Sequence, residues 1–314
     1  LRRLYDRLRG RYLFKIAAAV IIVSTALLGA GALAVDQVQA SVESDARETL
    51  TSAAEREAEG IEGFVDDMNG YTLRVSSASG VQSSSEGRVR DELRHSADML
   101  PEYVVDVHYY DAVTNEVSVS TSPMTEGTTY SEDERPWAVG PAAFANSNDV
   151  RSFEPYKVDG ENRLGFVSPI NNVPGKAIVI TVDLSERGAL LSAPVDGGNM
   201  QVVSARTGRV ALAADGDAIL NDYFLIEELS HLETGVTEPV VTDVTDDEQE
   251  TVNGSALAAA TVPIENKPWA VVVAAPQDEV YGTVGDVTRT VLLLIGISVV
   301  GLLAVGAFVV RDVN

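Results

Sequence analysis

The chain has no cysteine. That absence excludes a disulfide framework, thiol catalysis and zinc–thiolate sites, so any domain here is held by its core alone. Histidine is scarce and scattered: His95, His108 and His231. Lysine occurs only at Lys15, Lys157, Lys176 and Lys267. No Gly-rich phosphate loop with a lysine, no His-Glu-x-x-His and no Gly-x-Ser-x-Gly is found. The expectation is a protein that is not an enzyme and carries no metal and no cofactor.

What is present first is membrane. Ile16–Val35 and Val291–Val310 are uncharged runs of 20 residues each. As helices each spans about 30 Å, the thickness of a bilayer core. Arg2, Arg3, Arg7, Arg9, Arg11 and Lys15 precede the first run against one acid, Asp6. Asp36, Glu43, Asp45 and Glu48 follow it against one base, Arg47. Short basic flanks stay in the cytoplasm, which predicts both termini inside and residues 36–290 outside. A cleaved signal peptide is the rival reading, with Ala32-Leu-Ala34 as cleavage site; the first run exceeds the usual apolar length of such a peptide, about 7–15 residues.

The outer segment is strongly acidic. Setting aside the bases and acids of the two cytoplasmic ends leaves 16 bases and 45 acids, a net charge of −29. Nucleic acid and anionic lipid are disfavoured as partners, because both bind through cationic groups. Acidic excess with little lysine points to a protein working in concentrated salt, where repulsion is screened within about 3 Å at 1 M. The run Asp243, Asp246, Asp247, Glu248, Glu250 lacks the glycine and terminal glutamate of a calcium loop and reads as a solvated hairpin tip. Asn253-Gly-Ser255 is a glycosylation sequon in the outer segment.

Along that segment, 36–100 reads as a stalk helix to about Ser79, then a loop, then a helix over 87–100 stopped by Pro101. Residues 101–193 alternate as strands: a hairpin over 103–121 with its turn at 111–116, a short helix within 131–145, then strands over 151–156, 164–170 and 176–183. Residues 194–290 repeat that order more compactly. Strands over 200–205 and 209–213 precede a helical insert over 218–232 and three further strands, 236–242, 255–263 and 269–275. The predicted fold class is α+β, a long N-terminal stalk helix with two tandem antiparallel-sheet units between two transmembrane helices.

One cluster stands out chemically, Tyr130-Ser-Glu-Asp-Glu-Arg135-Pro-Trp137. An arginine fork pairs bidentately with a carboxylate, and tryptophan supplies an N–H and an apolar wall. Tyr156 and Asp183, at the start and end of the following sheet, complete a candidate zwitterion site. The alternative reading has Trp137 capping the core and Arg135 paired with Glu132 or Asp133.

These phrases carry a family resemblance. Val107-His-Tyr-Tyr-Asp111 followed by Thr114-Asn-Glu, the Arg135-Pro-Trp137 element, Glu154-Pro-Tyr156 and Ile178-Val-Ile-Thr-Val-Asp183 resemble a double Cache sensor, a pair of PAS-like units. Arg11-Tyr-Leu-Phe-Lys15, Leu50-Thr-Ser-Ala-Ala and residues 60–77 resemble methyl-accepting transducers of halophilic archaea. The resemblance implies an extracellular ligand-sensing region of a chemotaxis receptor and a homodimer, with cytoplasmic signalling partners reached through an output region beyond residues 311–314. It also implies a small-molecule ligand, an amino acid or another carboxylate, with Arg135 and Trp137 on the carboxylate and Tyr130, Tyr156 and Asp183 on the ammonium. Ala138 stands where the family has tyrosine. Rival outputs are a membrane histidine kinase with the same outer domain, or a membrane-tethered hydrolase or adhesion protein; the residues after Asn314 discriminate among them.

The salt reading is testable. The chain should melt at a higher temperature in molar KCl than in dilute buffer, since about 29 unscreened excess charges repel. A melting temperature independent of KCl in a scanning calorimeter contradicts it.

Overall fold

The structure is a computed structural model that describes residues 2–144, 150–223, 240–244, 257–265, 267–280 and 282–312. Two compact units emerge, one of Leu1–Thr49 with Pro276–Asn314 and one of Leu50–Ala275.

Helix α1, Arg2–Ser77, begins in the first unit and ends in the second. In the second unit Leu50, Ala54, Ile61, Val65, Met68, Thr72 and Val75 are buried. Their spacing of three, four and seven residues makes one helical stripe. Gly60 and Gly63 lie within the helix without ending it. Burial of the flanking Ile61 and Val65 outweighs a cost of about 1 kcal/mol per glycine. Helix α2, Glu86–Ala97, buries Val89 and Leu93.

The first sheet comprises β1 Val104–Asp111, β2 Glu116–Ser120, β3 Arg151–Ser152, β4 Tyr156–Val158, β5 Glu161–Pro169 and β6 Lys176–Asp183. Its order is β2-β1-β6-β5-β3, with β4 paired to β5. The second sheet comprises β7 Asn199–Ser204, β8 Val210–Ala213, β9 Val240–Val244, β10 Leu257–Pro263 and β11 Trp269–Pro276, ordered β8-β7-β11-β10-β9. The two orders match: an initial hairpin at one edge, the last strand beside the first, then the preceding strands. The pairings are antiparallel. The architectural repeat read from the sequence is therefore present in the topology.

Alternation along β5 assigns its faces. Phe166 meets Phe64 of α1 edge-on at 6.3 Å, and the Ser168 and Ser76 hydroxyls share a hydrogen bond of 2.8 Å. Gly165 and Val167 face the other way, toward Trp137, which packs with Tyr110, Val117, Ala138 and Val179 in a buried cluster. A side chain at position 165 would place its Cβ 2.5 Å from the Trp137 ring, so glycine is needed there.

The two sheets are joined at helix α3, Leu184–Gly188. Gly188 lies so close to the Ala213 carbonyl that a Cβ there would collide with it. Arg187 of α3 pairs with Glu57 of α1. The Asn162 amide donates to the Gly216 carbonyl at 2.8 Å. Glu154 accepts from Ser204 Oγ at 3.1 Å and from Arg206 at 2.6 Å.

In the first unit, α1 from Ile21 onward is the one helix among the described residues that is long and apolar enough to cross a membrane. Helix α4, Gln277–Val280, leads into α5, Gly282–Asp312, a continuous helix over the second uncharged run. Leu292, Leu293, Leu294, Ile297, Val300, Val305 and Phe308 on it are exposed. A Cβ on Gly31 would collide with Ile295, so α1 and α5 approach closely at that glycine.

The structure corrects several local expectations. Of the expected helical stretch 131–145, the described residues 131–144 hold turns and a 3-10 segment, Pro141–Phe144, in place of an α-helix. Pro136 and Pro141 lack the N–H that a helical ladder requires and push the residues before them out of helical conformation. The strand expected over 151–156 is split into β3 and β4, with Pro155 just before the second piece. Helix α3 had no periodicity long enough to be read. Of the insert over 218–232, the described part ends at Tyr223 after a 3-10 turn, Gly216–Ala218; the rest, the sequon at Asn253 and residues 246–250 of the acidic run lie outside the described residues.

Candidate ligand cavity on the first sheet

Alternate residues of β1, Asp106, His108 and Tyr110, lie on the face of the sheet that carries Trp137. His108 stacks on the indole at 5.7 Å between ring centres, and Tyr110 and Tyr130 meet it edge-on at 5.6 and 5.7 Å. The indole Nε1 donates to the Tyr156 hydroxyl at 2.8 Å. Because that oxygen accepts from Trp137, its own O–H is left to donate elsewhere.

In front of this aromatic layer is a cavity of about 190 Å³. Tyr130, Arg135, Trp137 and Tyr156 line it, as do Asp106, His108, Arg163 and Thr181. Four of the five residues singled out from the sequence are thus brought together. Arg135 sits with its guanidinium carbon 4.9 Å from the Tyr130 ring centre and 5.5 Å from that of Tyr156. Among the described residues its side chain makes one hydrogen bond, from Nη1 to the Glu134 carbonyl at 3.0 Å, and no carboxylate pairs with it. The pairing with Glu132 or Asp133 that the sequence left open is therefore not formed. Glu134 instead accepts from the Ser131 backbone and hydroxyl.

Asp183 is the fifth residue, and it is not among those lining the cavity. Its Oδ1 caps α3, accepting from Ser185 N at 2.8 Å and Ser185 Oγ at 2.7 Å. Its Oδ2 lies 3.3 Å from Arg163 Nη1. Burial opposes ionisation of this carboxyl, but the Ser185 hydrogen bonds and the Arg163 charge together hold it below the usual range. Ala138 is buried in the Trp137 cluster, also away from the cavity lining. A tyrosine there would overpack the core rather than complete the site.

Asp106, Arg163 and His108 are cavity residues that motif reading did not select. The alternation of β1 places Asp106 and His108 on the face that carries Tyr110, but it does not show that the Asp106 carboxylate lacks a partner. Burial raises the Asp106 carboxyl above its ordinary value, with Arg163 pulling the other way. Burial likewise pushes the Tyr156 hydroxyl up to about 12. His108 is fully enclosed; burial and then the Arg135 charge drive its imidazole down to about 3, so it is neutral at physiological pH. Its Nδ1 shares a hydrogen bond of 2.8 Å with Ser120 Oγ.

No family model matches the chain. Transducer protein Htr18 of Halobacterium salinarum is 27% identical over 307 residues, 97% of this chain and 36% of that protein. Transducer protein BasT of the same organism is 23% identical over 97% of this chain and 38% of its own length. The chain is a homologue of halobacterial transducer proteins. It spans little more than a third of the length of these relatives. Among solved structures, the ligand-binding domain of the Pseudomonas fluorescens chemoreceptor CtaA, in complex with L-isoleucine, matches with a TM-score of 0.56 at 15% identity, covering 78% of this chain and 98% of that one. The ligand-binding domain of Mlp24 with asparagine gives 0.55 at 12% identity, over 79% and 99%. Extracellular domains assigned to histidine kinases share the fold at 0.54 and 0.53. The Cache resemblance drawn from the sequence agrees with both sets of relatives. The transducer homologue therefore carries the fold of chemoreceptor ligand-binding domains, with its cavity on the first sheet.

The buried imidazole generates a pH prediction. Unfolded His108 takes up a proton near pH 6.5 and the folded residue only near 3. Between those values the unfolded chain holds more protons, so stability falls as pH falls, by up to about 1.4 kcal/mol per unit. Denaturant melts in molar KCl at pH 7, 6, 5 and 4 should therefore show a shallower acid loss for His108→Gln than for the wild type. Parallel curves contradict a neutral buried His108.

Proposed function

We propose that this chain is the ligand-sensing region of a membrane chemoreceptor and that its cavity takes a small ligand bearing a carboxylate, an amino acid in the first instance. The observation that carries the reading is Arg135. A guanidinium held between two tyrosine rings at the wall of a cavity, with no carboxylate paired to it among the described residues, is a preorganised anion site. Trp137 and Tyr130 wall the carboxylate, and the Tyr156 hydroxyl donates to it. Support comes from structural neighbours whose ligand-binding domains hold isoleucine, serine, asparagine and arginine.

In this reading residues 16–35 and 291–310 both cross the membrane, and residues 36–290 lie outside as stalk, ligand unit (101–193) and membrane-proximal unit (194–290). The receptor is a homodimer with a cytoplasmic output. The halobacterial relatives favour a transducer over a histidine kinase, since both match over almost the whole chain. A ligand shifts such a receptor only through unequal affinity for its two states.

Calorimetry on the whole chain in lipid nanodiscs tests the site, titrating amino acids and simple carboxylates in molar KCl. Arg135→Ala removes a charge-assisted bidentate contact, and affinity should fall roughly ten- to a hundredfold. Unchanged affinity with lowered stability makes Arg135 a structural residue and defeats the assignment. For the topology, a single cysteine at Ser84 meets no background thiol and should react with an impermeant maleimide in intact cells. Reaction only after lysis refutes the outward placement.

A further inference from the structure

We propose that Asp106, and not Asp183, receives the ammonium group of a zwitterionic ligand, so that the cavity selects α-amino acids over simple carboxylates. The inference rests on the reading above and deepens it.

The carboxylate that the family resemblance assigns to the ammonium is already committed. Both oxygens of Asp183 are engaged, one by the first turn of α3 and the other beside Arg163. Arg163 is in turn paired with Glu161. Glu161, Arg163 and Asp183 form one ionic group, in which Arg163 Nη1 faces Asp183 at 3.3 Å without a hydrogen bond, and Asp183 does not line the cavity. Drawing Asp183 toward a ligand would uncap α3 and leave Arg163 short of a partner.

Asp106 is in the opposite situation. It lines the same cavity and is half-buried, and among the described residues its carboxylate has no hydrogen-bond or ion-pair partner. Its backbone carbonyl is held by Thr181 Oγ1 across the β1–β6 pairing, which fixes the strand beneath it. Tyr156 senses the charges of Arg135, Arg163 and Asp106 together, which places its hydroxyl within electrostatic reach of both ends of the site.

With Arg163 paired to Glu161 and Asp183 and His108 neutral, Arg135 and the half-buried Asp106 are, among the described residues, a cation and an anion of the cavity that lack an ion-pair partner. A ligand with one carboxylate and one ammonium satisfies both. A simple carboxylate leaves Asp106 desolvated and unpaired, and a dicarboxylate brings a second negative charge toward it. Asp159 and Glu161 in the lining add further negative charge, which also disfavours a dianion.

The test uses the whole chain in nanodiscs, titrated with standard amino acids and with the matching carboxylates that lack the amino group. Wild type should bind amino acids more tightly than their des-amino counterparts. Asp106→Asn should weaken amino acids by roughly tenfold or more and leave the des-amino carboxylates unchanged or tighter. Asp183→Asn should lower the melting temperature and keep amino-acid affinity within about twofold, since asparagine still caps α3 but loses the charge facing Arg163, and no ligand contact is lost. Asp106→Ser is a second neutral variant should the asparagine variant fail to fold. If Asp183→Asn abolishes amino-acid binding while Asp106→Asn retains it, the assignment is reversed. Equal wild-type affinity for an amino acid and its des-amino partner shows that no ammonium subsite exists, while the carboxylate site on Arg135 stands. Binding of neither class defeats the sensing site as well as this proposal.

Discussion

The hydrogen bond from the Trp137 indole to the Tyr156 hydroxyl is the contact on which the cavity depends. Trp137 comes from a segment of turns with no strand ladder to fix it, and Tyr156 from a three-residue strand paired to β5 alone. The indole is placed by burial against the sheet, in the space left by the missing side chain of Gly165. Once there, it presents a wall to His108, Tyr110 and Tyr130 and anchors Tyr156. Tyr130 and Tyr156 then hold the Arg135 guanidinium. Burial of a large aromatic ring thus fixes a charge that has no salt bridge to orient it.

Charge distribution divides the molecule in a similar way. Most of its acidic excess can sit at the surface, where salt screens it. Arg163 and Lys176 are different, because each is partly withdrawn from water. Arg163 is enclosed by Glu161 and Asp183, and Lys176 pairs with Asp111 at 2.6 Å. Against those pairs, Arg135 and the half-buried Asp106, neither with an ion-pair partner among the described residues, are the exception in one cavity.

Much of the fold was legible because its signals are periodic. The stripe along α1 and the alternation in β1, β5 and β6 are strong enough to survive without an alignment, and β6 falls on the very residues expected, Lys176–Asp183. Local structure around prolines was less legible. Pro136, Pro141 and Pro155 sit where a helix and a strand were expected, and each interrupts a backbone ladder that side-chain pattern alone cannot see is broken. At the site, the Tyr130–Trp137 cluster was readable because its residues lie close in sequence. Asp106 was not, because its importance comes from a vacancy: its carboxylate lacks the partners that Asp183 has. Partnership is decided by cross-strand register and by the capping of α3, neither of which is a property of one segment.

Strand β5 ties the cavity on the first sheet to the second sheet. Its odd-numbered residues, Glu161 and Arg163, face the cavity, while the even-numbered Asn162 reaches the Gly216 carbonyl beneath the second sheet. The backbone between them is shared, so the strand cannot twist or slide on one side alone. Reciprocity follows: whatever free energy ligand occupancy delivers to the second sheet, strain applied from that sheet must return to the cavity as altered affinity. Two sheets built on a common wall of this kind are therefore adjustable from either side, and a load on the second sheet resets the concentration range over which the cavity on the first would fill.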